Sequence, residues 1–156
     1  MSSGARSHTV PAADRVAMSL PRLEEMKRNG EPIVMVTAYD YPSATVAEAA
    51  GVDLVLVGDS AANVVLGYER TDLVSMDEMI MLGKAVRRGL KTPLMVGDMP
   101  MGSYEASNEL AVQSAQRMIA LARSTEAPPR SSLTASQPAS LTNRCAFSIA
   151  SSFEAS

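Results

Sequence analysis

Apolar residues follow two different spacings along this chain. Segments with an apolar residue at every third or fourth position predict helices, and short runs that are apolar throughout predict buried strands. Between residues 16 and 123 the predicted order is helix, strand, helix, strand, helix, strand, helix. Strands that are apolar on both sides and alternate with helices indicate a parallel sheet covered on each face. The pattern therefore favours an α/β fold.

Capping residues mark the ends of the predicted helices. The first helix is expected to stop at Gly30 and the second at Gly51. The third lies in SMDEMIMLGKAVRRGL, where Ser75 is the predicted N-cap, acids fill the first turn and basic residues lie near the end. This third segment is the best-defined helix in the sequence.

Both ends of the chain differ from the middle. Residues 1–15 are small and polar, and we expect a disordered lead there. Residues 124–156 are rich in Ser, Ala and Pro and keep no period of 2 or 3.6, so this tail is predicted to be low-complexity and largely disordered. One folded region, residues 16–123, remains. With 46% hydrophobic residues in the chain, one domain with its own core is expected.

Charge and composition exclude several classes of function. A net charge of −3 and a pI near 5.2 give no basic surface for a nucleic acid. No apolar run approaches the roughly 18 residues of a membrane span or resembles a signal peptide. The single cysteine, Cys145, has no internal disulfide partner, and no Cys/His spacing resembles a zinc site. These features indicate a cytoplasmic protein that acts on small molecules.

Each of the three predicted strands ends near an acidic residue. The runs PIVMVTAYD, DLVLVGDS and PLMVGD bring in Asp40, Asp59 and Asp98. In parallel α/β proteins ligands bind beyond the carboxyl ends of the strands, so these acids are expected at one edge of the sheet. Neighbouring carboxylates repel each other unless a cation lies between them, and oxygen-only ligands favour Mg²⁺. A single aspartate at a strand end is more often a turn or cap residue, so the pair Asp59 and Asp98 carries the hypothesis.

A resemblance to a known family adds to this interpretation. The text VTAYDYPSATVAEAAGVDLVLVGDSAANVVLGYERT, followed by AVRRG and PLMVGDMPMGSY, resembles the ketopantoate hydroxymethyltransferase (3-methyl-2-oxobutanoate hydroxymethyltransferase) family from about Leu20 to about Ala122. The resemblance implies a (β/α)₈ TIM barrel, of which this chain would carry about the first three strands and their helices. It also implies hydroxymethyl transfer from the co-substrate 5,10-methylenetetrahydrofolate to a 2-oxo acid held by Mg²⁺, in pantothenate biosynthesis, and a homo-oligomer for a full-length member.

The family motifs assign roles to three residues of this chain. By the motif VGDS, the resemblance implies that Asp59 binds the metal and that Asp59 and Ser60 contact the oxo acid. By the motif GD before MPMGSY, it implies that Asp98 is the second metal carboxylate and also lies close to the substrate. Ser60 has a simpler alternative as a turn or helix cap. Asp40 also matches the family text, but it receives no ligand role and is interpreted as a structural cap.

Part of the family pattern is absent. The motif V-K-(I/L)-E-G-G, which carries a substrate lysine and a third metal acid, should follow the last predicted helix, and the family's glutamate base should come later. Neither is found, so no catalytic residue is assigned and the chain is expected to be a truncated, inactive form. Read one base out of frame with suitable codons, APPRSSLTAS approaches the missing motif. A frameshift, a truncated paralogue and an unrelated fused tail are the alternatives, and the gene sequence would distinguish them.

Two other functions remain open at this stage. One is a Mg²⁺-dependent lyase or mutase of the isocitrate lyase and phosphoenolpyruvate mutase type, which also places the ion beside acids at strand ends. The other is a non-catalytic partner of a full-length homologue. Turnover of phosphonopyruvate or 2-methylisocitrate would favour the first, and co-purification with an intact homologue would favour the second.

Overall fold

The computed structural model describes residues 15–123 and the strand at residues 145–148. Its strands are β1 Met35–Thr37, β2 Leu54–Val57, β3 Leu94–Asp98 and β4 Cys145–Ser148. Its helices are α1 Leu20–Arg28, α2 Tyr41–Ala50, α3 Ala61–Val64, α4 Met76–Gly89 and α5 Asn108–Arg123, with a 3₁₀ turn at Thr71–Leu73. The predicted order of seven elements is confirmed, and α3, the 3₁₀ turn and β4 are additional.

All four strands are parallel and form one sheet in the order β1-β2-β3-β4. Leu54 of β2 lies opposite Met35 on one side and opposite Leu94 on the other. Each strand therefore pairs with its neighbour in sequence, and the carboxyl ends of the strands meet at one edge of the sheet. The parallel α/β class predicted from the sequence is confirmed.

The helix ends follow the predicted capping residues. The Ser75 hydroxyl accepts a hydrogen bond from the Glu78 N–H, and the Ser75 N–H donates to the Glu78 carboxylate at 2.8 Å, which closes a capping box at the start of α4. At the end of α2, Gly51 has a φ of 74°, a left-handed conformation that glycine adopts without a steric penalty. None of the helices that the structure describes is both long and apolar enough to cross a membrane.

The core lies between the sheet and the helices on one of its faces. Val55 and Val57 of β2 are buried in the same cluster as Ala44 of α2 and Val86 of α4. Successive strand residues point to opposite faces, and the intervening residues of β2 are only half-buried. Met35 in β1 is 51% exposed. Within the described residues the second face is thus less covered than the unbroken apolar runs predicted.

The fourth strand lies within the tail that was predicted to be largely disordered. Residues Cys145–Ser148 pair with β3 in parallel, with Cys145 opposite Met95. The sequence pattern predicted three strands, because the run around Phe147 is too short for a recognisable period. β4 joins the sheet because the N–H and C=O groups at the edge of β3 are free to form hydrogen bonds with another strand. Residues 1–14, 124–144 and 149–156 lie outside the described residues, so the predictions made for them stay predictions.

Helices α2 and α4 approach each other closely at Gly89. A Cβ added at Gly89 would lie 2.7 Å from the Ala44 Cβ, 3.0 Å from the Tyr41 carbonyl oxygen and 3.2 Å from the Thr45 nitrogen. Two of these atoms belong to the α2 backbone, which cannot rotate away. We expect Gly89→Ala to lower the free energy of unfolding by about 1–3 kcal/mol, the usual cost of overpacking. Urea denaturation followed by circular dichroism measures this change.

Gly83→Ala in the same helix is the matched control. There the three atoms nearest to the added Cβ all belong to the Leu121 side chain, with its Cδ1 at 2.5 Å, and a leucine terminus can change rotamer. Replacing a helical glycine by alanine also favours the helix by up to about 1 kcal/mol. We expect Gly83→Ala to cost less than Gly89→Ala, and the reverse order would contradict the close approach of α2 and α4.

Candidate functional site

Two aspartates, Asp59 and Asp98, are in contact at the carboxyl edge of the sheet. Asp98 is the last residue of β3, and Asp59 follows β2 by two positions. The Asp59 N–H donates a hydrogen bond to the Asp98 Oδ2 at 3.3 Å, and both side chains are half-buried. The prediction that these two acids lie at one edge, on neighbouring strands, is confirmed.

Gly58 allows this close arrangement. The residue is buried, and a Cβ added to it would lie 3.1 Å from the Ser60 Oγ and 3.4 Å from the Asp98 Oδ2. A side chain at this position would therefore crowd the Ser60 hydroxyl, whereas its distance from Asp98 would be an ordinary van der Waals contact. The sequence Gly58-Asp59-Ser60 thus forms a turn that leaves room for polar oxygens beside the end of β3.

The Asp98 carboxyl is in an unfavourable setting for a charge. Burial raises the pKa of Asp98, the hydrogen bond from the Asp59 N–H opposes this rise, and the negative charge of Asp59 adds to it. A raised pKa in the folded state means that the charged carboxylate destabilises the fold at neutral pH. A cation between the two acids would remove this penalty.

The donor set fits a magnesium ion that shares its coordination shell with other ligands. Within residues 15–123 and 145–148, no group of three or more His, Cys, Asp or Glu side chains is placed to hold a metal. Mg²⁺ usually takes one or two protein carboxylates and fills its remaining positions with water or substrate oxygens. Asp59 and Asp98 are two carboxylates that could take part in such a shell.

Ser60 lies beside this pair but does not cap a helix. It occupies the N-cap position of α3, yet its side chain makes no capping hydrogen bond. Its hydroxyl instead forms a 2.8 Å hydrogen bond with the Tyr39 hydroxyl, which reaches across from the segment after β1. The alternative interpretation of Ser60 as a simple helix cap is therefore wrong for its side chain.

Asp40 has a structural role, as expected. Its carboxylate accepts a hydrogen bond from the Ser43 N–H at 2.8 Å and caps α2 in a capping box. Hydrogen bonds from the hydroxyl and the N–H of Ser43 lower the pKa of Asp40. These bonds satisfy the helix end, so the described contacts of Asp40 are those of an N-cap.

Tyr39 is a site residue that the sequence analysis missed. It belongs to the quoted text TAYD and comes two residues after the end of β1. A hydroxyl-bearing side chain directly after a strand, at the edge where acids collect, was the available signal.

The loop after β3 is held in place by its own side chains. The Glu105 carboxylate accepts hydrogen bonds from the N–H groups of Gly102, at 2.8 Å, and Tyr104, at 3.2 Å. The Ser114 hydroxyl of α5 donates to the Ser103 carbonyl at 2.6 Å. The loop that follows Asp98 is thus anchored to α5.

A groove of about 550 Å³ lies elsewhere, between α4 and α5. Its lining includes Lys84, Arg88 and Arg117, and none of the site residues named above. Among the residues described, the one acid in its lining, Asp77, forms an ion pair with Arg117, so the groove offers no pair of acids like that at the sheet edge.

Comparison with known proteins shows the family of this chain. The family model described as ketopantoate hydroxymethyltransferase matches residues 17–127, well over half of the chain. A 3-methyl-2-oxobutanoate hydroxymethyltransferase of Geobacillus kaustophilus is 60% identical over 94 residues, which are 60% of this chain and 34% of that protein. That of Deinococcus radiodurans is 55% identical over 107 residues, 67% of this chain and 38% of the relative.

A plant relative shows the same partial coverage. The 3-methyl-2-oxobutanoate hydroxymethyltransferase 1, mitochondrial, of Arabidopsis thaliana is 51% identical over 102 residues, 65% of this chain and 29% of that protein. The chain therefore spans about a third of the length of the curated relatives that it matches. Because the family model covers most of the chain, this protein belongs to the ketopantoate hydroxymethyltransferase family.

Proposed function

We propose that this chain carries the metal-binding and oxo-acid-binding part of a hydroxymethyltransferase. The complete reaction transfers a hydroxymethyl group from 5,10-methylenetetrahydrofolate to 3-methyl-2-oxobutanoate and forms ketopantoate for pantothenate synthesis. The observation that carries the proposal is the meeting of Asp59 and Asp98, whose backbone and side chain are joined at 3.3 Å. In the proposed complete enzyme, which is homo-oligomeric, the parallel sheet forms the first part of a (β/α)₈ barrel.

Each described site residue has a role in this proposal. Asp59 and Asp98 hold Mg²⁺ and also lie against the oxo acid, and Ser60 donates a hydrogen bond to its carboxylate. When bound, the ion acts as a Lewis acid toward the keto oxygen, which makes the neighbouring C–H more acidic. Gly58 lacks the Cβ that would crowd the Ser60 hydroxyl. The base, the substrate lysine and the third acid belong to parts of the family pattern that this chain does not match.

The names of the relatives favour this function over a magnesium-dependent lyase or mutase. The family model and the three relatives described above are all hydroxymethyltransferases. Acids at strand ends are common to both chemistries. The choice of hydroxymethyl transfer over a lyase or mutase reaction therefore depends on the family membership. The proposed metal-binding role of Asp59 and Asp98 depends on their geometry.

The test measures the stability of the parent chain and of the Asp98→Asn variant, each with and without Mg²⁺. Because the pKa of Asp98 is higher in the folded state than in the unfolded chain, the protonated carboxyl group favours folding. This contribution to stability is fully present below the unfolded pKa and is lost as pH rises through the folded pKa. At neutral pH without metal, Asp98→Asn should therefore match or exceed the parent chain, by at most about 1 kcal/mol because solvent screens a half-exposed group. Excess Mg²⁺ should raise the melting temperature of the parent chain and not that of Asp98→Asn.

Two further variants sharpen this experiment. Asp59→Asn should lose the response to Mg²⁺ in the same way. Asp40→Asn, which changes the α2 cap away from the proposed metal, should keep it. Addition of 3-methyl-2-oxobutanoate should stabilise the parent chain further only when Mg²⁺ is present. An equal Mg²⁺ response in the parent chain, Asp59→Asn and Asp98→Asn would refute the proposed metal site.

A further inference from the structure

The contact between Tyr39 and Ser60 joins the ends of two neighbouring strands. Tyr39 follows β1 and Ser60 follows β2, and their hydroxyl oxygens are 2.8 Å apart. Ser60 directly follows Asp59 and makes no capping bond to α3, although it occupies the capping position. Its hydroxyl is thus directed by Tyr39 and not by the helix that it precedes.

Tyr39 is itself held at several points. Its ring packs against the main hydrophobic cluster, and its side chain is half-buried. Its N–H donates to the Ser43 Oγ at 3.3 Å, and Ser43 belongs to the capping box of α2. The phenol oxygen is therefore a fixed point against which the Ser60 hydroxyl is oriented.

The direction of this hydrogen bond decides what Ser60 can offer to a ligand. A serine hydroxyl has one hydrogen and two lone pairs. A phenol is a better donor and a weaker acceptor than an aliphatic alcohol, because its oxygen lone pair is shared with the ring. Either oxygen could donate across the 2.8 Å contact, and the chemistry favours Tyr39 as the donor, which leaves the hydrogen of Ser60 for a third group.

We propose that Tyr39 is a positioning residue that orients Ser60 as a hydrogen-bond donor to the carboxylate of a 2-oxo acid. This inference rests on the proposed function, since Ser60 is the residue assigned to the oxo acid there. A donor fixed at this point adds to the attraction of the proposed Mg²⁺, since Asp59 and Asp98 by themselves repel a ligand carboxylate. Tyr39 acts through Ser60 and does not touch the ligand.

Tyr39→Phe tests the proposal because it removes only the hydroxyl. Isothermal titration calorimetry on the 156-residue chain, in excess Mg²⁺, gives the dissociation constant of 3-methyl-2-oxobutanoate. We expect Tyr39→Phe to weaken oxo acid binding about fivefold to tenfold, as for one hydrogen bond, and to leave Mg²⁺ affinity within about twofold. The parent chain should bind the acid more tightly than its neutral amide, 3-methyl-2-oxobutanamide. In Tyr39→Phe the ratio of these two affinities should be smaller by a similar factor.

A double-mutant cycle separates positioning from general structural damage. If Tyr39 acts through Ser60, Tyr39→Phe should add no further loss in a Ser60→Ala background. Tyr68→Phe is the matched control, because the Tyr68 hydroxyl bonds Glu78 and not Ser60. It should leave oxo acid affinity unchanged.

The possible outcomes distinguish this inference from the proposed function. Wild-type affinity in Tyr39→Phe, or losses in Tyr39→Phe and Ser60→Ala that multiply in the double variant, would overturn the positioning role alone. A parent chain that binds neither Mg²⁺ nor the oxo acid would overturn the proposed function and this inference with it. If the melting temperature shows that Tyr39→Phe folds poorly, unchanged oxo acid affinity in Ser60→Ala would overturn the positioning role instead.

Discussion

The purified 156-residue chain will form ketopantoate at least about 100-fold more slowly than a full-length relative under the same conditions. In the proposed function Asp59, Asp98 and Ser60 bind the oxo acid, and the base that removes its proton belongs to the part of the family pattern that this chain does not match. Loss of a general base typically costs about 10²–10⁴ in rate. The assay supplies 3-methyl-2-oxobutanoate, 5,10-methylenetetrahydrofolate and Mg²⁺ and measures ketopantoate over time.

Asp59→Ala is the control for this assay. Any slow product formation that belongs to the chain should disappear in this variant, whereas activity from a contaminating enzyme should persist. Turnover comparable to that of a full-length relative, abolished by Asp59→Ala, would show that the 156-residue chain already contains what the reaction needs. The proposed division between a binding part and a catalytic part would then be wrong.

Glu48→Ala will lower the free energy of unfolding by about 3 kcal/mol or more. The Glu48 side chain in α2 is buried and accepts hydrogen bonds from the Lys91 N–H at 2.6 Å, the Thr92 N–H at 2.9 Å and the Thr92 hydroxyl at 2.8 Å. Truncation leaves these donors without an acceptor, and hydrogen bonds to a charged group contribute about 1.5–3 kcal/mol each. Chemical denaturation monitored by circular dichroism measures the loss.

The same residue predicts a dependence of stability on pH. Burial alone would raise the pKa of Glu48, but the hydrogen bonds from Lys91 and Thr92, together with the charge of Arg15, lower it overall. A lowered pKa gives stability that is present above the ordinary glutamate pKa of about 4.3 and is lost as pH falls through the folded value. The parent chain should therefore lose stability on acidification more steeply than Glu48→Ala.

Glu24→Ala is a suitable control for both measurements. Glu24 is exposed on α1, where such changes usually alter stability by no more than about 0.5 kcal/mol. A loss in Glu48→Ala no larger than that in Glu24→Ala would contradict the role given to the three hydrogen bonds.

The order of elements could be predicted because its signals are local. Ser75 and Gly51 mark helix ends through contacts with residues one turn away, and apolar runs mark strands without reference to the rest of the chain. The position of Asp59 and Asp98 also followed from the sequence. Once the strands are known to be parallel, the acids that follow them must share an edge.

The remaining features depend on contacts between distant residues. Glu48 meets Thr92 across 44 positions, and Tyr39 meets Ser60 across 21. The sequence near Glu48 does not indicate that Thr92 is its hydrogen-bond partner, and the sequence near Tyr39 does not indicate Ser60. The four-residue helix α3 and the strand β4 are too short to establish a period, so only the packing of the whole chain shows them.

The pairing of each strand with the next one along the chain also has a consequence for synthesis. β1 pairs with β2, and β2 pairs with β3. Within residues 35–98, each strand can therefore form its backbone hydrogen bonds as soon as the next strand has been synthesised. The unit of β1, α2 and β2 can thus assemble as soon as Val57 has left the ribosome, and β3 adds to a template that already exists. Folding of this region is expected to proceed during translation, from the amino-terminal end.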